Sequence, residues 1–250
     1  MKDKARQSMR RTMMKPSRKL WTMLAVACSG AAVLVASAAV ERAEAQARPS
    51  AAEVASWVQT FYDQTQTMTA RFVQRYRNRV YDRTDVSRGR VRFRKPGMMR
   101  FDYDDPNGKI VVSDGSNLTV FEPPDPGQQR GQYYQQPISD AQLPAALSFL
   151  TGTGRLDENF RFRLLDASRL GYADGQVLEL RSRRPTPHYS RILLFVDDDE
   201  SRRGVVHRIM IVDSSNNVNR FDFLEQRLNR DVSESVFRWR PPAGTRRIQP

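Results

Sequence analysis

Few residues in this 250-residue chain are of a type that could do chemistry, and their spacing argues against most of it. His188 and His207 are the only histidines, they lie in different segments, and neither has a cysteine, a second histidine or a carboxylate at ligand spacing, so no metal site is expected. His207, Asp213 and a serine would form a nucleophilic triad only if the fold gathered residues that the sequence keeps apart. The acidic run Asp197 to Glu200 lacks the alternating ligands of a calcium loop and reads as a solvated turn. There is no nucleophile elbow, phosphate loop or dinucleotide fingerprint. The expectation is a protein that is not an enzyme and uses no cofactor.

Charge gives a second set of candidates. The formal net charge is +13, from 41 Lys and Arg against 28 Asp and Glu. Residues 1–47 hold nine of the basic and three of the acidic residues, which leaves 32 against 25, or +7, downstream. Only Lys95 and Lys109 among those 32 are lysine, a pattern of general arginine preference more than of a phosphate code. Arg88, Arg90, Arg92 and Arg94 recur at every second position, so a strand would set them as a ladder on one face. Without interleaved exposed aromatics, the ladder reads as a solvated face and no nucleic-acid partner is expected.

The elements that must position these residues begin after a targeting segment. A basic region to Lys19, an apolar stretch from Leu20 to Val40 and small residues at Ala43, Ala45 and Ala47 read as an export signal, residues 1–45, cleaved after Ala45. The apolar stretch is 21 residues, long enough to be an uncleaved anchor instead. Cys28, the only cysteine, lies inside it; the lipid-attachment reading of Ala25 to Cys28 is disfavoured by the apolar residues that follow. The expected domain, 48–250, therefore has no thiol and no disulfide.

Ser50 and Glu53 form a capping box, and Val54, Trp57, Val58 and Phe61 follow at three- and four-residue spacing, which predicts a helix with one apolar stripe. From Met68 the pattern alternates through Ala70, Phe72 and Tyr76, and again through Val91, Phe93, Met99, Phe101 and Tyr103, as in antiparallel strands with one dry face. "IVVSDGSNLTVFEP", 110–123, is a hairpin turning at Asp114-Gly115. Ser139 or Asp140 can cap a short helix carrying Leu143, Leu147 and Leu150, which Gly152 and Gly154 end. Six further strands are expected: "FRFRLL", "QVLELRSR", "RILLFVDD", "VVHRIMIVD", "NRFDFLEQRL" and "VFRWRPP". The fold class is mainly β, a single curved sheet or open barrel whose apolar face two amphipathic helices could cover. Periodicity alone leaves open whether they seal a permanent core or form a lid over a ligand cavity.

The order of these elements, with "FVQRY", "GRVRFRKPGMMRFDY", the hairpin 110–123, the proline-containing helix at Leu143-Pro144, "VHRIMIVDSSNNVNRFDF" and "FRWRPPAG", resembles the periplasmic outer-membrane lipoprotein carriers, the LolA-type family. The resemblance implies a half-open antiparallel β-barrel with a helical lid enclosing an apolar cavity, no cofactor and no metal. It implies a periplasmic, monomeric carrier that takes acylated lipoproteins from an inner-membrane lipoprotein-releasing transporter to an outer-membrane acceptor; a related lipid- or protein-binding sensor is the alternative. The residues expected to line cavity and lid are Trp57, Phe61, Phe93, Met99, Phe101, Leu147 and Phe149. The family commonly has an arginine before the strand proline that bonds to the lid. Lys95 stands there in this chain, a candidate latch on the helix near Leu143 to Leu150, without arginine's rigid fork.

Overall fold

The computed structural model describes residues 48–138 and 147–250. The expected export signal and most of the helix expected from Ser139 lie outside the described residues. Helix α1, Ala51–Asp63, starts as its capping box requires: Ser50 Oγ accepts from the Glu53 N–H at 3.2 Å, and a Glu53 carboxylate oxygen accepts from the Ser50 N–H at 2.7 Å. Strands β1 (Thr67–Asn78), β2 (Arg83–Arg94), β3 (Met98–Tyr103), β4 (Ile110–Asp114), β5 (Asn117–Glu122) and β6 (Gln132–Pro137) follow as one meander. Two short helices, α2 (Ser148–Thr151) and α3 (Leu156–Asn159), separate it from a second meander: β7 (Phe160–Leu165), β8 (Gly175–Ser182), β9 (Arg191–Asp197), β10 (Val206–Val212) and β11 (Val218–Leu228). A two-residue β12, Arg246–Arg247, ends the chain's regular structure.

The twelve strands among the described residues form one open sheet in the order β12-β6-β5-β4-β3-β2-β1-β11-β10-β9-β8-β7. Every pairing is antiparallel except β12 on β6. Within each meander neighbours in sequence are neighbours in space. The meanders meet at one seam, β1 against β11, where Phe72 pairs with Phe223 and Tyr76 with Asn219. The fold class is therefore the expected one, mainly β with a single curved sheet.

Alternation places Met68, Ala70, Phe72, Val91, Phe93, Met99 and Phe101 on the face that α1, α2 and α3 cover, and all are buried. Where both faces are covered, alternation gives way to continuous apolar runs. On the opposite face of β8 and β9, Val177, Leu193 and Phe195 pack with Ala167 and Tyr172. Val112, on the outer face of β4, packs with Val232 and Phe237. The covering segment is the expected strand "VFRWRPP", which instead opens as a 3-10 turn, Glu234–Phe237. Its apolar residues alternate because they dock on the sheet rather than extend it: Phe121 meets Trp239 at 5.2 Å, and Arg94 and Arg100 donate to the Val232 and Val236 carbonyls at 2.9 and 2.8 Å. A sixth strand of the first meander, β6, covers Tyr133 and Tyr134, for which the sequence pattern gave no strand.

Candidate functional site

The stripe of α1 is turned slightly from its expected position. Val54, Ala55, Val58 and Tyr62 face the sheet and are buried, while Trp57 and Phe61 lie half-buried on the flank, beside the β9–β10 turn. The Trp57 ring carries the Arg203 guanidinium 4.9 Å from its centroid, so its exposed side is already occupied by a cation. Gln59 clips the helix to α3: its side-chain oxygen accepts from the Leu156 N–H at 2.8 Å.

The other five expected residues are fully buried and come together. Phe93, Met99 and Phe101 rise from β2 and β3, and Leu147 and Phe149 close over them from the α2 segment. Phe101 meets Phe93, Phe72 and Phe221 at centroid distances of 5.8, 5.3 and 5.7 Å, mostly edge to face, as aromatic quadrupoles prefer. The interior at these positions is thus filled by side chains and shut off from solvent.

Tyr62 is the residue that sequence reasoning passed over, although Val54, Val58 and Tyr62 at i, i+4 and i+8 carried the signal. It is buried, its ring is edge-on to Phe149 at 5.3 Å, and its hydroxyl accepts from the Val206 N–H of β10 at 3.1 Å. Burial raises its pKa well above the usual phenol value, more than the Val206 bond lowers it, so it stays a neutral packing group.

Lys95 holds the end of the same helix. Its ammonium donates to the carbonyls of Tyr62 and, at 3.4 Å, Asp63, the terminal acceptors of α1, which has no basic residue in its own last turn. A cation there satisfies orphan carbonyls and opposes the negative end of the helix dipole. Burial lowers the lysine's pKa, and the Asp63 carboxylate partly offsets that. Among the described residues the ammonium therefore reaches the end of α1, while residues 139–146 of the expected partner helix lie outside them. The contact with the α2 segment comes from the lysine stem, which lies against Gly152, at φ 70 the left-handed cap of α2; a β-carbon there would sit 2.8 Å from Lys95 Cδ. Next along the chain, the Gly97 N–H donates to the Thr151 carbonyl at 2.9 Å.

The hairpin 110–123 buttresses this corner. Gly115 takes φ 99 at its turn, and the Asp114 carboxylate accepts from the N–H groups of Ser116 and Asn117 at 2.9 and 2.8 Å. Buried Ser113 donates to the Gly97 carbonyl at 3.1 Å, tying the hairpin to the turn that presents Lys95.

The sequence's chemical candidates are spent on structure. His207 pairs with Asp197 at 3.0 Å, where Arg202 joins at 3.4 Å. Asp213 is elsewhere, accepting from the N–H groups of Ser215 and Asn217 at 2.8 and 2.9 Å, so the two never form a dyad. In the acidic run, Asp197 and Asp199 accept from N–H groups two residues on, at 3.0 Å each, as turn residues do. Among the described residues no cluster of three or more His, Cys, Asp or Glu could hold a metal.

The sequence matches the family model described as outer membrane lipoprotein carrier protein LolA over residues 63–240. An outer-membrane lipoprotein carrier protein of Chromobacterium violaceum is 23% identical over 198 residues, covering 79% of this chain and 88% of that protein. Its namesake in Nitrosospira multiformis is 25% identical over 187 residues, covering 75% and 84%. A crystal structure of a LolA superfamily protein from Nitrosomonas europaea aligns over 76% of this chain and 98% of its own with a TM-score of 0.41 and 16% identity. Because the family match runs from the last residue of α1 to beyond the 3-10 turn that backs β4, the chain belongs to the LolA family of outer membrane lipoprotein carriers.

Proposed function

We propose that this protein is a periplasmic carrier that shields the acyl chains of lipoproteins and passes them from an inner-membrane releasing transporter to an outer-membrane acceptor, by binding alone. The observation that carries the reading is the apolar interior of Phe93, Met99, Phe101, Leu147 and Phe149, closed by helices whose end is held by one lysine. An acyl chain exchanges one apolar contact for another there, so uptake needs helix displacement, which at α1 releases the Lys95 contacts and the Tyr62–Val206 and Gln59–Leu156 hydrogen bonds. The names of the relatives support the cargo and the compartment, and the basic, apolar and small-residue order of residues 1–45 supports export.

The interior is tightly occupied by rings, and that favours a second reading, a sensor on the same fold that binds lipid or protein only after opening. One experiment addresses both. A photoreactive side chain at Phe149, with a control at exposed Arg161, is irradiated in the presence of a diacylated lipoprotein and of its unacylated form. The carrier reading expects acyl-dependent crosslinks at Phe149 alone. Equal labelling at both positions, or labelling without acyl chains, counts against it.

A further inference from the structure

The face of β11, β1 and β2 that points away from the helices is crowded with guanidinium groups. Register sets Arg71 directly opposite Arg90, and Thr69 between Arg92 and Arg227. Like charges paired across strands repel. Elsewhere on this face the sheet relieves the repulsion with shared carboxylates: Arg92 and Arg100 both bond Asp102, at 2.6 and 2.7 Å. Arg71, Arg90 and Arg227 have no such relief. They are exposed, and among the described residues none of them makes an ion pair. With Arg92 and one carboxylate, Glu225 of the β11 bulge, they line a groove of about 400 Å³. The groove is therefore a site of uncompensated positive charge.

Apolar side chains accompany it. Leu224, paired with Arg71, is 48% exposed, and Val86, paired with Arg75, is 49% exposed. At the tip of the β1–β2 hairpin, consecutive Val80 and Tyr81 are 75% and 79% exposed. Single exposed apolar residues are ordinary, but Leu224 beside the unpaired Arg71, with Val80 and Tyr81 at the far end of the same strand pair, match a surface that offers anionic phosphate and apolar material together.

We propose that this outer face docks on an anionic phospholipid surface: Arg71, Arg90 and Arg227 take headgroup phosphates, and Val80 and Tyr81 enter the interfacial layer. Guanidinium groups suit the first role because their planar fork binds phosphate oxygens two at a time. Tyrosine suits the second, with an apolar ring and a polar tip. An acidic protein would answer the charge but would leave the hairpin tip in water. The site lies on the opposite face from the proposed acyl-binding interior and does not depend on it; a carrier so equipped would visit membranes with its closed side outward.

The test is vesicle co-sedimentation of the exported protein, with wild type and variants sharing one N-terminus so that their ratio reports this face alone. Wild type should bind phosphatidylglycerol-containing vesicles, bind phosphatidylcholine vesicles far less, and release as salt is raised. Each arginine changed to glutamine should weaken binding about fivefold, and the triple variant R71Q/R90Q/R227Q roughly a hundredfold. V80S/Y81S, which removes side chains that support no core, should weaken binding about tenfold with thermal unfolding unchanged. Binding that ignores lipid charge, or that survives in both variants, overturns the proposal. So does tight binding to polyglutamate without binding to vesicles, which would assign the face to an acidic protein partner.

Discussion

Lys95 sits where three parts of the molecule meet, its ammonium on the terminal carbonyls of α1, its stem on Gly152, and its neighbour Gly97 bonded to Thr151. Opening the interior must break the ammonium contacts, each hydrogen bond to a charged donor contributing about 1.5 to 3 kcal/mol. Lys95→Leu should therefore raise binding of a hydrophobic fluorescent probe to the empty protein, by roughly tenfold if one such bond governs opening. Lys95→Arg offers the two carbonyls a two-pronged donor and should lower it. Cooperative unfolding of both variants excludes damage as the cause, and unchanged probe binding in both would leave Lys95 with no part in opening. The family resemblance marked the residue, as the position before the strand proline, and implied a partner near Leu143 to Leu150. It did not point to the end of α1, since a helix end 33 residues away leaves no trace in local spacing. For the same reason Arg92 read as solvated, although it is bound to Asp102.

At the scale of elements, three strands are riveted by one carboxylate. Asp222 of β11 bonds Arg75 of β1 at 2.9 Å, Arg208 of β10 at 2.5 Å and Arg220 of its own strand at 2.8 Å, with its side chain only 14% exposed. Partial burial disfavours its charge, but the bonds from Arg220 and Arg208 outweigh burial and lower its pKa. The folded protein thus holds this proton more weakly than the unfolded chain does. The stability that Asp222 contributes is complete above the ordinary aspartate pKa of about 3.9 and disappears as pH falls through the lower folded-state value. Asp222→Asn should cost about 1 to 3 kcal/mol at neutral pH, by leaving three guanidiniums facing one another, and should flatten the loss of melting temperature in that acid window. A wild type and a variant that lose stability in parallel on acidification would refute the assignment. Strand periodicity made β1, β2, β3 and β11 legible, and a capping box made α1 legible. Where apolar residues docked on a sheet instead of joining it, as Phe237 and Trp239 do, the same alternation misled.

For the whole molecule, each meander was readable as a succession of hairpins, whereas their junction was not, because β1 and β11 are about as far apart in sequence as the domain allows: Gln74 and Asn219, which bond across it at 2.8 Å, are 145 residues apart. That seam has a consequence for assembly. Each half contains its own local pairings, and the long strand pairing between them is the β1–β11 edge, joined by the two-residue β12 on β6 and reinforced by α1 of the first half lying over β7 and β8 of the second. Bringing such remote edges together is entropically the costly step in folding. Every described strand lies wholly before residue 138 or after residue 147, so a chain interrupted between β6 and α2 should behave as two complementary fragments. Co-expressed as separate polypeptides ending at residue 138 and starting at 147, they should copurify and regain the β-rich circular dichroism of the intact protein, and either expressed alone, with a bare twelve- or eleven-residue strand at its edge, should aggregate.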